Sequence, residues 1–142
     1  MFEPIREQIK TKLSNISEIG QVIDYPTLEF TSYPAVLVIT ASNDSEFQTN
    51  VENKRTYIFK LFCVSKIEGV GEQLARRMIE GLVDKVLNEF DSDPMLSGAI
   101  LPNYMTIIDS SPALSDIFTD TNWIVAEMEL RVVVQFNREV YP

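Results

Sequence analysis

The sequence predicts an α+β domain: a mixed or antiparallel sheet of about four strands, with an N-terminal helix and one long amphipathic helix on one face, and an extended β-hairpin. Three observations carry this. From Ile124 to Phe136 every second residue is apolar, with Glu127, Glu129, Arg131 and Gln135 on the other face, the period of a half-buried strand. From Glu72 to Phe90 apolar residues recur at helical spacing. Two apolar runs, Ala35–Ile39 and Tyr57–Val64, flank a polar stretch, as in a hairpin with a long polar tip.

The elements follow in order. Pro4 suits the first turn of a helix, and Ile5, Ile9 and Leu13 recur one turn apart, which predicts a helix over about 4–13. Gln21–Tyr25, closed by Pro26, reads as a short strand. After Tyr33-Pro34, the run AVLVI has no polar residue and reads as a strand covered on both faces. Ala41–Asn50 is polar and turn-like, and a strand returns from about Asn53 to Ser65. Gly69 and Gly71 bracket a turn into the long helix, whose stripe runs Leu74, Ala75, Met78, Ile79, Leu82, Val83, Val86, Leu87 and Phe90. DSDP, Asp91–Pro94, ends it, because a residue before proline avoids helical backbone. Leu101–Asp109 and Asn122–Phe136 read as strands, with Ser111-Pro112 between them starting a short helical turn.

The chain of 142 residues fits one domain, 1–142, with no internal repeat or low-complexity linker. Its 45% hydrophobic and 23% charged residues are those of a globular fold. No apolar run approaches the roughly 20 residues that cross a bilayer, and MFEPIREQIK lacks a hydrophobic signal core, so synthesis in the cytoplasm and no membrane partner are expected. The net charge is −9, and residues 91–142 hold eight acids against two bases. Such a balance argues against a surface that grips phosphates and fits one that DNA passes without specific binding.

The residues offer little chemistry. There is no histidine, which removes the commonest general base and zinc ligand. Cys63 is a lone thiol within an apolar strand, expected buried and inert. GVG at Gly69–Gly71 lacks the rest of a nucleotide fingerprint, and Asp91-Ser92-Asp93 lacks the glycine and distal glutamate of a calcium loop. Glu127 and Glu129 share a strand face, as a carboxylate pair or, more simply, a solvated surface. Arg76 and Arg77, among Glu72, Glu80 and Asp84, are expected in surface or interface ion pairs, and Trp123 as a core or interface anchor. No catalytic residue, cofactor or metal is expected, and the chain reads as no enzyme.

One imbalance stands out. Four strands spaced about 4.8 Å apart make a sheet roughly 15–20 Å wide, and two helices about 10 Å across cover one face of it. The hairpin strands are apolar on both faces. Either further copies of the chain cover the second face, closed homo-oligomers being common, or Ala41–Asn50 and Leu96–Thr121 fold back over it.

The order of the segments YPAVLV, SEFQT, NKRTYIFKLFCV, ARRMIEGLVDKVLNEF and DSDPMLSGAI, ahead of a long final strand, resembles the tail terminator (tail completion) proteins of long-tailed bacteriophages and the related head–tail joining neck proteins. The resemblance spans nearly the whole chain and is strongest at Tyr33–Val38, at Ser45–Thr49 with Asn53–Phe59, and at Leu96–Gly98. It implies a structural subunit that forms a ring, usually of six. The ring caps the tail tube in the virion, docks the head through its connector or neck protein, and lets the genome pass. Carried onto this sequence, it implies that Ser45, Glu46, Phe47, Gln48, Thr49 and Asn50 reach the tube protein or a neighbouring copy. It places Tyr57, Phe59 and Phe62 near the oligomer interface, where Arg76 and Arg77 are expected on their own charge, and Glu127 and Glu129 toward the lumen. The alternatives are another head–tail junction or tail-tube subunit, and a small oligomeric cytosolic binding module.

Overall fold

A computed structural model describes residues 2–47, 52–102 and 105–137. In these residues two helices, α1 (Phe2–Ser14) and α2 (Glu72–Asp91), pack on one face of a five-stranded sheet. The strands are β1 (Gln21–Ile23), β2 (Ala35–Phe47), β3 (Glu52–Lys66), β4 (Met105–Asp120) and β5 (Trp123–Asn137), in spatial order β1-β2-β3-β5-β4. β1 runs parallel to β2 and every other neighbouring pair is antiparallel, so the α+β class with a mixed sheet holds, with one strand more than expected.

β3 and β5 pair without interruption from Glu52–Asn137 to Lys66–Trp123. A slip of one residue would turn Ile124, Ala126, Met128, Leu130, Val132 and Val134, all buried, toward the opposite face, so the alternation itself fixes the register. These side chains meet Val36, Val38, Tyr57, Phe59 and Leu61 beneath the helices. α1 lies over β1 and β2, and α2 over β3, β5 and β4. Phe2 sets its ring edge-on to Tyr57, at 4.9 Å between centroids, and to Phe59, at 5.6 Å. α1 buries Ile5, Ile9 and Leu13. Pro4 stands in its first turn, where a missing N–H leaves no intrahelical bond unmade.

The turn before α2 needs positive φ at Gly69 (82°) and Gly71 (91°), a region that side chains avoid. α2 buries Ala75, Ile79, Leu82, Val83, Val86 and Phe90. Leu74 and Met78, expected on the same stripe, are instead exposed. The sheet supports an arc from Leu82 to Val83 around the helix, and Met78 and Leu74 lie roughly 40° and 80° beyond its Leu82 edge at 3.6 residues per turn.

Two further expectations are corrected. Ser111-Pro112 starts no helical turn: β4 runs straight through it, with Pro112 opposite Leu130. β4 is an edge strand, where a lost N–H is tolerated, and it carries bulges at Ile107/Asp109 and Leu114/Asp116. Likewise Ala41–Phe47 is strand rather than loop: Ser45 pairs with Arg55, Glu46 with Lys54 and Phe47 with Asn53.

Two polar ties hold α1 in place. Lys10 bonds Asp24 at 3.1 Å, which raises the lysine pKa and lowers that of the aspartate. Lys12 is nearly buried, and its Nζ lies 2.9 Å from Asp93 Oδ2 in the turn after α2. The same oxygen accepts bonds from the Ser97 N–H and hydroxyl.

Candidate functional site

The helices shield one face of the sheet, and the other face holds the candidate site. Its physical origin is β1. Parallel neighbours require the chain to travel back along the strands, across one face. The helices fill the first face, so the crossover of residues 24–34, leaving from Asp24 beside α1, brings Leu28, Phe30 and Tyr33 over the second. Phe30 and Tyr33 of this crossover pack against Ile23, Leu37, Val64 and Val125, with Phe62, Phe118 and Trp123 beside them. Trp123 sits edge-on to Phe30 (5.4 Å, 88°), and its Nε1–H donates to the Tyr33 hydroxyl at 3.1 Å. Lys66 Nζ lies 5.8 Å from the centre of the Tyr33 ring. Between crossover and sheet remains a cleft of about 210 Å³, lined chiefly by Leu28, Phe30, Phe62, Phe118, Trp123 and Val125.

The doubly apolar hairpin is therefore covered from within over its Trp123 end, by a segment other than the two expected to fold back. Toward the hairpin tip the cover stops. There Ile39, Ile58 and Val133 are half-buried among Lys60, Glu129 and Arg131.

The expected interface residues divide. Tyr57 and Phe59 lie in the subunit's own core, beneath Phe2, and are not available to a neighbouring copy. Strand alternation sends them to the helix side and Phe62 to the open face, where Phe62 is half-buried. Arg76 and Arg77 are exposed on α2 and make no ion pair among the described residues. Of the loop predicted to touch the tube, Ser45, Glu46 and Phe47 belong to β2, and Gln48, Thr49 and Asn50 fall outside the described residues. Glu127 and Glu129 stand on the open face as a mixed-charge group rather than a bare acidic one. Lys60 Nζ is 3.7 Å from Glu127, and Arg131 is 3.8 Å from Glu129.

Sequence reasoning missed Phe30 and Phe118 as lining residues and Tyr33 as an aromatic packed on the same cluster. Leu28 and the two aromatic residues of the stretch TLEFTSYP were the available signal for Phe30 and Tyr33. Phe118 was hidden by the mistaken turn at Ser111-Pro112.

Burial pushes the Cys63 thiol up to about 12, so it carries no nucleophilic thiolate near neutrality. An aromatic disulfide reagent is expected to leave native protein unlabelled and to label one thiol per chain in denaturant; rapid labelling of native protein would contradict the packing around Cys63. Among the described residues no group of three or more Cys, Asp or Glu is placed to hold a metal ion, and no helix is long and apolar enough to cross a membrane. In comparisons with known proteins, no family model matches the chain, and no curated protein matches it.

Proposed function

We propose that this chain is a structural subunit of the head–tail junction of a long-tailed phage, acting as a ring that caps the tail tube and receives the head. The observation that carries the reading is the open face. Its apolar residues outrun the crossover that covers them, and Ile39, Ile58 and Val133 remain half-buried beside a band of paired charges. An apolar patch ringed by polar residues is the ordinary form of a protein-binding surface. The absence of histidine and the suppressed Cys63 thiol favour a mechanical role over a chemical one. The resemblance in segment order supplies the assembly.

The ring itself would perform the function. Identical subunits present one patch several times to the symmetric end of a tube, so individually weak contacts add as avidity. The acidic balance of the chain lets DNA pass the assembled subunits without adhering.

Native mass spectrometry and electron microscopy of the purified chain test this. A single closed ring of copies is expected. Long stacked polymers would identify a tube subunit instead, and a two-copy assembly would favour a small binding module with its ligand between subunits. A chain that stays monomeric at micromolar concentration, alone and with tail tubes present, would overturn the reading.

A further inference from the structure

α2 carries an apolar strip on its outer side that the chain itself leaves uncovered. Leu74 and Met78, 53% and 50% exposed, stand one turn apart, and Gly81 follows on the same side. A Cβ added to Gly81 would meet nothing within 4 Å. Glycine is the worst helix former after proline, and among the described residues nothing crowds this position. A helix interior keeps a glycine where another surface comes close. Beside the strip runs a groove of about 360 Å³, walled by Pro34 and Ser65 across from Met78 and Gly81. Two cations rim it. Lys85 is bound to Glu18, whereas Arg77 has no ion-pair partner among the described residues.

The complement lies on the crossover. It presents Leu28, 74% exposed beside the cleft on the open face, and Tyr25, 60% exposed next to Asp24. Glu29 follows them, exposed and without an ion pair among the described residues. The groove offers apolar walls and a free cation, and the crossover offers apolar knobs and a free anion.

Resting on the ring reading above, we propose that neighbouring copies join head to tail, with Tyr25 and Leu28 of one copy entering the α2 groove of the next and Glu29 pairing with Arg77. Two different patches make a heterologous contact, the kind that closes into rings; a patch meeting itself makes only a dimer. Ile100, 86% exposed, is a rival knob, but it borders α1 beside Glu3 and Glu7 on the helix side. Docking it in the groove would set two helix layers against each other.

The test is sedimentation velocity and native mass spectrometry of the full chain, as wild type and as Gly81→Leu, Arg77→Glu, Glu29→Arg and the double charge swap. Gly81→Leu fills the groove at a position with room for a side chain, so its monomer melts no lower than wild type. It is expected to weaken assembly about tenfold or more by occupying the groove, and each single charge reversal to do the same, since like charges are costly across an interface. The double swap is expected to recover assembly to within about threefold of wild type. If wild type forms rings and all four variants assemble equally well, or the double swap is as weak as its two parts combined, this contact is wrong and the ring reading stands. A symmetric dimer would overturn the head-to-tail contact, and a monomeric wild type would overturn the ring reading and this contact with it.

Discussion

Phe59→Asp is expected to leave the chain unfolded, with far-UV circular dichroism and one-dimensional NMR spectra of a disordered polypeptide. Phe59 is fully buried in the centre of β3, beneath the Phe2 ring and opposite Leu130. Truncation of such a phenylalanine to alanine costs about 3–5 kcal/mol through lost transfer energy and the cavity left behind. A carboxylate there adds the penalty of an unpaired buried charge, several kcal/mol more. The sum approaches the roughly 5–15 kcal/mol that holds a domain of this size together. Phe62→Asp is the control. Phe62 faces the other way, is half-buried and has Lys60 on the same face, so its loss is expected to cost about 1–2 kcal/mol, roughly half the value of burying a phenylalanine. That subunit should still fold while its assembly is impaired. A folded Phe59→Asp would mean that the order of the layers is wrong.

Asp93→Ala is expected to cost about 3 kcal/mol, near the low end for breaking a buried ion pair. The loss arises mainly from the partner. With the carboxylate gone, the Lys12 ammonium stays in a site where its side chain is only 8% exposed, with no counter-charge. Ser97 also loses the acceptor of two bonds. Lys12→Met is expected to cost only about 1 kcal/mol, because methionine fills similar volume without a charge, and Asp93, 25% exposed, keeps its bonds from Ser97. Urea melts of the two variants therefore separate a charge stranded in the core from a simple lost contact; equal losses would contradict this account.

The same pair sets a pH dependence. The Lys12 ammonium first, then the Ser97 donors, hold the Asp93 carboxyl below its ordinary 3.8. A carboxyl depressed in the folded state stabilises the fold above the unfolded value, and that contribution disappears as pH falls through the lower folded value. Wild type is thus expected to lose stability from about pH 4 downward, and Asp93→Asn to lose less over the same interval.

What the residues disclosed depended on how local its cause was. The alternation of β5 is visible because one face meets the core while the other carries Glu127, Glu129, Arg131 and Gln135, with Val125 beneath the crossover and half-buried Val133 as the exceptions. The core side of α2 is visible for the same reason. Where that side stops is not: Leu74 and Met78 continue the spacing, and only the position of the sheet leaves them outside. Ser111-Pro112 is locally identical whether it opens a helix or lies in an edge strand; which one occurs depends on β4 having a neighbour on one side alone. The crossover was unreadable because it follows from β1 lying parallel to β2, a pairing that no residue in 24–34 records. Lys12 and Asp93, far apart in sequence, had no local sign of their tie.

The margins of the sheet bear on how copies of this chain accumulate in a cell. At one margin stand three residues of β1; at the other, β4 is bent twice and interrupted by a proline. The β4 margin offers no unbroken row of free amides and carbonyls onto which a second molecule could knit its backbone. At the other margin β1 meets only Ala35–Leu37, so beyond Leu37 the outer edge of β2 has no strand neighbour among the described residues, and its one irregularity lies at Thr40/Ser42. Lateral growth is therefore disfavoured at β4, and the outer edge of β2 is where backbone pairing between copies would start.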